Sequence, residues 1–347
     1  MEAYENRTDA LTNAAWERLP ESAAGWKAVN VLTIPRKFGN RATSRYSRGQ
    51  RMETTVRDYK RDADYEKVGR FLVRTYRTAG DHINWLQPRW EYMHYHPLIR
   101  RVDLDPIGIW EAAGKIVGVI HPEHRTGTVY VEVDQAYPHL KRDILEYAEE
   151  HLAAESDGVR SLRVYINDSD NTLRQIAGQM GYERTDGHET MSLRSTSGLP
   201  RTASLPEGFH LKSLADENNL HKVHRVLWRG FGHGPDPPED EVEDRRFMQS
   251  APNYRKDLNI VVEAPDGNFV AYCGMWYEPV HRVSYVEPVA TDPDFRRLGL
   301  GQAAVLEGVR RCGAEGATVA YVGSSMRFYQ ALGFEQMYRL SLWQREW

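Results

Sequence analysis

One segment of the sequence is arranged for chemistry: Val289-Ala290-Thr291-Asp292-Pro293-Asp294-Phe295-Arg296-Arg297-Leu298-Gly299-Leu300-Gly301-Gln302-Ala303. Its pattern reads as the end of a strand, a short turn and the start of a helix that carries two glycines. The first N–H groups of a helix lack an internal partner, and the helix dipole makes that end positive. Glycine at 299 and 301 removes side chains, so that a diphosphate can approach the bare amides of Leu298, Gly299, Leu300, Gly301 and Gln302. Arg296 and Arg297 place positive charge beside it. A glycine pattern can also serve tight packing alone. The strand–turn–helix setting and the paired arginines favour the phosphate reading.

The elements around this segment mix helix and strand. In the first half, apolar spacing predicts a helix over about 63–79, strands at Ile107–Ala112, Lys115–His121 and Thr126–Val133, and an amphipathic helix at Leu140–Ala153. A strand at Leu162–Ile166, a helix at Asp170–Met180 and a strand at Met191–Arg194 follow. The second half repeats that order: a strand from Leu211, helices at Glu217–Trp228 and Asp240–Gln249, and strands at Asn259–Ala264, Val270–Tyr277 and Val283–Ala290. It continues with a helix at Leu300–Gly313, a strand at Thr318–Val322, a helix at Ser325–Leu332 and a strand at Arg339–Gln344. Both halves place an aromatic after glycine at the end of the fourth helix, in Gly181-Tyr182-Glu183 and Gly333-Phe334-Glu335. This repetition implies an internal duplication in which one copy carries the chemical motif.

Arg296-x-x-Gly299-x-Gly301 after Pro293 resembles the acyl-CoA signature of the GNAT superfamily of N-acetyltransferases. Phe328-Tyr329-Gln330-Ala331-Leu332-Gly333-Phe334-Glu335 is similar to that family's second hallmark. The resemblance is strong over about 259–340, extends by element order to 208, and covers about 53–195 in element order alone. There, Gln135-Ala136-Tyr137-Pro138-His139-Leu140 has no glycine, and Ala177 stands where the second half has Tyr329. The resemblance therefore implies a tandem GNAT protein: a mixed α+β chain of two GNAT-like domains, each a mostly antiparallel central sheet flanked by helices, the first degenerate. The expected divisions are a basic tail at 1–51, a degenerate domain at 52–195, a linker at 196–207 and a catalytic domain at 208–347.

Acetyl-CoA is the implied acyl donor and a primary amine the acceptor. In that fold two adjacent strands splay apart, and Pro288, which cannot donate to a ladder, suits a bulge there. The N–H of Val289, with Ala290 beside it, is then expected to meet the thioester oxygen. Free alkylamines are protonated near neutrality, and Glu287 is the best-placed base, directly or through a water. Tyr329 occupies the position of the family's general acid for the departing thiolate, a role that a phenol suits. Each has a structural alternative: Glu287 as an ion-paired surface carboxylate, Tyr329 as core.

Other features carry less. Arg36, Lys37, Arg41, Arg45, Arg48 and Arg51 make a basic run without an apolar period, read as a mobile tail and possible leader, with Met52 as an alternative start. Phe231–Asp240 is a proline-stiffened loop with an acidic rim that suits a cationic amine. Its His233 and Asp236 have no third partner at metal-ligand spacing, so no metal is expected. The aromatic run Trp85–Pro97 reads as a domain interface or a wall of the acceptor pocket. Ser324-Ser325 reads as a helix cap rather than a cofactor contact. Cys273 and Cys312 read as inert apolar residues.

Composition excludes several classes. The 347 residues carry 45 Lys and Arg against 49 Asp and Glu, a balance that provides no general field for nucleic acid. No apolar run reaches the length of a spanning helix, and no signal-like start is present. A cytoplasmic enzyme, monomer or homodimer, acting on a small amine is the expectation. A non-catalytic acyl-CoA sensor and an aminoacyl-tRNA-dependent transferase are the alternatives.

Overall fold

The computed structural model describes residues 41–42, 53–199 and 205–347. The first half runs β1 (Arg41–Ala42), β2 (Thr54–Asp58), α1 (Arg61–Thr75), α2 (Gln87–Tyr95), β3 (Gly108–Ala112), β4 (Lys115–Pro122), β5 (Thr128–Val133), α3 (Leu140–His151), β6 (Ala154–Ser156), β7 (Val159–Asn167), α4 (Asn171–Gln179) and β8 (Glu183–Ser195). The second half runs β9 (His210–Ser213), α5 (Leu220–Gly230), α6 (Val242–Met248), β10 (Ile260–Glu263), β11 (Phe269–Glu278), β12 (Val283–Thr291), α7 (Leu300–Ala314), β13 (Val319–Val322), α8 (Arg327–Ala331) and β14 (Glu335–Glu346). The repeated order read from the sequence is present. Helix α2, within the aromatic run Trp85–Pro97, is an element the periodicity did not reveal. It is buried on most sides and so carries no apolar stripe. The basic tail lies outside the described residues apart from Arg41–Ala42, which pair with Thr55 and Val56 of β2.

The strands join in a single 14-stranded sheet in the order β1-β2-β3-β4-β5-β7-β14-β8-β13-β12-β11-β10-β9, with β6 paired to β7. The two halves have exchanged their last strands. β8 of the first half pairs with β13 of the second, and β14 of the second pairs with β7 of the first. The long β8–β14 ladder is the seam between them. Each half keeps one parallel pair, β5 with β7 and β12 with β13, in an otherwise antiparallel sheet.

These parallel pairs set the register of the duplication. Thr128–Tyr130 align with Arg163–Tyr165, and Val283–Tyr285 with Val319–Tyr321. In both halves the pairing stops at a tyrosine facing a tyrosine, and the strands diverge beyond it. Helix ends match as well. Gly181 and Gly333 are both left-handed, with φ 88 and 81, and the next N–H reaches back to Ala177 O and Tyr329 O, each at 3.0 Å. That is a glycine C-cap of the same form in both copies. Around α7, one face of the second-half sheet packs Val286, Cys273, Ala304, Val305 and Tyr329. The opposite face packs Tyr285, Trp276 and Val226 together with Tyr92 of the first half. No helix among the described residues is long and apolar enough to cross a membrane.

Candidate active site

β12 departs from regular pairing where the proline sits. Cys273 faces Val289 and Met275 faces Val286, so Glu287 and Pro288 together oppose the single residue Gly274. This is a β-bulge at the position expected of Pro288. Gly274 makes it possible, because a Cβ there would lie 2.5 Å from the Glu287 carbonyl oxygen. That carbonyl accepts a hydrogen bond from Trp276 Nε1 at 2.8 Å. On its other side β12 has no partner past Tyr285. The bulge and the divergence of β13 leave Glu287, Val289 and Thr291 half-buried in an otherwise buried strand.

At the end of β12, Asp292 is fully buried and bonded to Arg225 at 3.1 Å and to Arg229 at 2.7 and 3.0 Å. This pins the turn to α5, and Pro293–Phe295 forms a single 3-10 turn. Arg297 and Gly299 then adopt φ 65 and 79 before α7 begins. Left-handed residues here turn backbone N–H groups to one side, the concave arrangement that binds anions. The first bond of α7 runs from Ala303 N–H to Gly299 O at 2.9 Å, which leaves the preceding amides without an intrahelical acceptor.

The two glycines have separate reasons. A Cβ on Gly299 would meet open space, whereas one on Gly301 would lie 2.7 Å from Thr291 Oγ1. Gly301 lets α7 approach β12, and Gly299 keeps the entrance bare. Arg297 and Leu298 are exposed beside it. Arg296, also exposed, donates to Gly230 O at 3.0 Å and to Thr291 O at 3.4 Å.

Tyr329 lies on the α7 face of the sheet, 4% exposed. Its ring stands edge-on to Phe334 at 5.7 Å and to Phe328 at 4.9 Å. Glu287 belongs to the opposite face, where the electrostatics of Tyr285 and Tyr92 register its charge.

Glu287 faces Arg89, from the run Trp85–Pro97, and Glu123, which the sequence did not indicate. Arg89 of α2 holds Glu123 in a two-point ion pair, at 3.0 and 2.7 Å, and reaches Glu189 of β8 at 3.1 Å. Tyr130 donates to Glu189 at 2.5 Å. Burial, aided by Glu123 and opposed by Arg89, pushes the Glu287 carboxyl up to about 8. Tyr92 packs on Trp276 with ring centroids 5.8 Å apart, and Glu91 accepts from the Asn253 N–H at 2.7 Å and its Nδ2 at 2.8 Å. Trp85–Pro97 is therefore an interface between the halves, and it abuts Glu287.

The first half holds a filled version of the same place. Tyr130-Val131-Glu132 aligns with Tyr285-Val286-Glu287, so Glu132 is the counterpart of Glu287. It is buried, accepting from Trp85 N–H at 2.8 Å and lying 3.3 Å from His121 Nε2. The repeated Tyr-Val-Glu was a signal present in the sequence. Past it, the Asn84 carboxamide takes the Val133 N–H at 2.9 Å and donates to Val133 O at 3.2 Å, as a neighbouring strand would. Lys141, second in α3 as Gly301 is in α7, is buried and reaches Asp170 at 2.6 Å. His82 joins Asp170, at 2.7 Å, to Asn84, at 2.9 Å. Although burial opposes it, these bonds hold the Asp170 carboxyl below its ordinary range. An acyl carrier would have to displace this network, so titration calorimetry is expected to find one acetyl-CoA site per chain. Two equivalent sites would refute this.

In the loop after α5, the His233 ring lies on Trp228 at 4.8 Å. Among the described residues no group of three or more His, Cys, Asp or Glu is gathered for a metal. Ser324 is buried and accepts from Met326 N–H at 3.2 Å, just before α8. Both cysteines are buried, and burial raises the Cys312 thiol to about 12 and Cys273 well above its ordinary value.

Residues 220–334 match the acetyltransferase (GNAT) family. Among solved structures, a GCN5-related N-acetyltransferase from Sphaerobacter thermophilus is similar over 84% of this chain and 95% of its own, with TM-score 0.58 and 17% identity. A tandem GNAT protein from the clavulanic acid biosynthesis pathway is similar over 85% of this chain and 98% of its own, with TM-score 0.55 and 15% identity. No curated protein sequence matches. The match to the acetyltransferase (GNAT) family lies in the second half, and the chain as a whole shares its two-unit fold with the tandem structure.

Proposed function

We propose that the second half transfers an acetyl group from acetyl-CoA to a primary amine of a small molecule. The observation that carries this reading is Glu287, a half-buried carboxyl held at a bulge beside the split in the sheet, one strand end away from the bare entrance of α7. The α7 amides and Arg297 receive the diphosphate, and the Val289 N–H, with Ala290 beside it, faces the thioester oxygen. The amine attacks the carbonyl carbon, so that a C–N bond forms and the C–S bond breaks. Glu287 takes the amine proton, directly or through a water, and Tyr329 protonates the departing thiolate from the other side of the split. A base with pKa near ambient pH is matched to this work. The primary test is release of free thiol from acetyl-CoA across a panel of amines. Absence of release with every amine, with acetyl-CoA still bound, would replace this reading with a non-catalytic sensor.

The raised carboxyl gives a pH signature. Below about 8, Glu287 is protonated and cannot accept a proton. With an acceptor that does not itself titrate in this range, kcat/KM is expected to rise up to tenfold per pH unit and level off above about 8, because this parameter reports the free enzyme. Glu287→Gln should lower the plateau about 10²–10⁴-fold and remove the inflection. An unchanged profile in Glu287→Gln would exclude it as the base.

A further inference from the structure

The cross-strand registers of the two halves match rung by rung. His121 faces Tyr130 as Trp276 faces Tyr285, Ile120 faces Val131 as Met275 faces Val286, and Gly118 faces Val133 as Cys273 faces Val289. The bulge at Glu287 and Pro288 supplies the one extra residue of the second half. In the first half three polar groups on these rungs are met by protein. The Val133 N–H donates to the Asn84 carboxamide oxygen at 2.9 Å, and Glu132 accepts from the Trp85 N–H at 2.8 Å. The Tyr130 hydroxyl donates to Glu189 at 2.5 Å.

The matching groups of the second half are the Val289 N–H, Glu287 and the Tyr285 hydroxyl. Tyr285 is 3% exposed, and among the described residues its hydroxyl makes no hydrogen bond. Unlike the partnerless Tyr65 hydroxyl, its oxygen is not enclosed. It reaches across the split in the sheet: a Cβ on Gly323, beyond the last parallel rung at Tyr285 and Tyr321, would lie 3.2 Å from it. Glycine at 323 leaves room there for the phenol. Two residues apart on one strand, Tyr285 and Glu287 present their side chains on one face. Trp276 ties them together, facing Tyr285 across the ladder and donating from Nε1 to the Glu287 carbonyl at 2.8 Å. Burial holds the phenol protonated, so a donor is kept available.

We propose that the Tyr285 hydroxyl donates to an oxygen of the acceptor while the amine of the same molecule is presented to Glu287. The filled copy shows which atom each group receives: a carbonyl oxygen at the N–H, an N–H at the carboxyl and a carboxylate oxygen at the phenol. A thioester oxygen and an amine answer to the first two. The third calls for an oxygen that the acceptor carries near its amine. The proposal rests on the acyl-transfer reading and names its substrate class, amines that bear a hydroxyl, carbonyl or carboxylate oxygen in place of plain alkylamines.

The test compares, in the thiol-release assay, straight-chain alkylamines with amino alcohols in which a hydroxyl replaces the terminal methyl, and with α-amino acids and their amides. The preference for the oxygen-bearing member, in kcat/KM, should be about 3–10-fold larger in the wild type than in Tyr285→Phe, the scale of one hydrogen bond. Comparison with the variant cancels the different basicities of the amines, and the series that changes most tells hydroxyl, carbonyl and carboxylate apart. The melting temperature should be unaltered in Tyr285→Phe, since the ring stays and no protein bond is lost. Tyr130→Phe, which takes a donor from Glu189, should lower it. The same preference in wild type and Tyr285→Phe overturns the proposal, as does an equal loss of rate with alkylamines and amino alcohols. A lowered melting temperature in Tyr285→Phe would give the hydroxyl to the fold, and a weakened acetyl-CoA affinity would give it to the cofactor; either overturns the proposal too. If no amine is acetylated, the transferase reading falls, and calorimetry with 2-aminoethanol and n-propylamine in the presence of coenzyme A decides. Tighter binding of the amino alcohol, lost in Tyr285→Phe, retains the oxygen site, and equal binding or none removes it.

Discussion

Tyr329→Phe is expected to lower turnover about 10²–10⁴-fold, the usual scale of general acid catalysis, while leaving acetyl-CoA affinity unchanged. The substitution removes the hydroxyl alone. The ring contacts with Phe328 and Phe334 persist, as do the backbone bonds from Tyr329 N–H to Met326 O and from Phe334 N–H to Tyr329 O. The proposed diphosphate contacts lie on α7, another helix. Rapid-quench turnover together with calorimetry checks both quantities. Wild-type turnover would exclude the phenol from any step that limits the rate. Loss of binding together with rate would make Tyr329 a packing residue. The duplication supplies a control: Tyr182 is the counterpart of Phe334, and Ala177 that of Tyr329, so Tyr182→Phe should be kinetically silent.

Gly299→Glu should weaken acetyl-CoA binding by on the order of 100-fold, equivalent to about 3 kcal/mol. The new side chain meets no protein atom, because a Cβ at 299 points into open space. Its cost in the free protein is confined to the left-handed backbone, about 1–2 kcal/mol. What it adds is a negative charge where the proposed diphosphate site lies. Gly299→Ala separates the two contributions, since it carries the backbone cost without the charge. Gly299→Glu with undiminished affinity would place the diphosphate elsewhere. Gly301→Glu should lose binding too, but for a different reason: the side chain collides with Thr291 and forces α7 away from β12. A fall in melting temperature should accompany it and be smaller in Gly299→Glu.

The local features were legible because each is written in a few consecutive residues. The helix entrance at Arg296–Gly301, the bulge at Pro288 and the glycine caps at 181 and 333 depend on backbone freedom at single positions, which residue type dictates. The duplicated order of elements followed from alternating periods of two and 3.6 residues. The strand lengths at the seam did not. Only Met191–Arg194 and Arg339–Gln344 were read as strand, whereas β8 and β14 extend over Glu183–Ser195 and Glu335–Glu346. Their outer parts are polar and half-exposed, and they are strand because each pairs with the other half.

The sequence by itself determined that this is a duplicated fold with one bare helix entrance, since glycine and proline act on their own backbone. The tertiary structure decided which distant groups share a space. It set Arg89 and Glu123 against Glu287, and filled the first-half cleft with Asn84 and Lys141. Each of these pairings spans many residues of chain, and a buried charge acquires its meaning only from its neighbours in space.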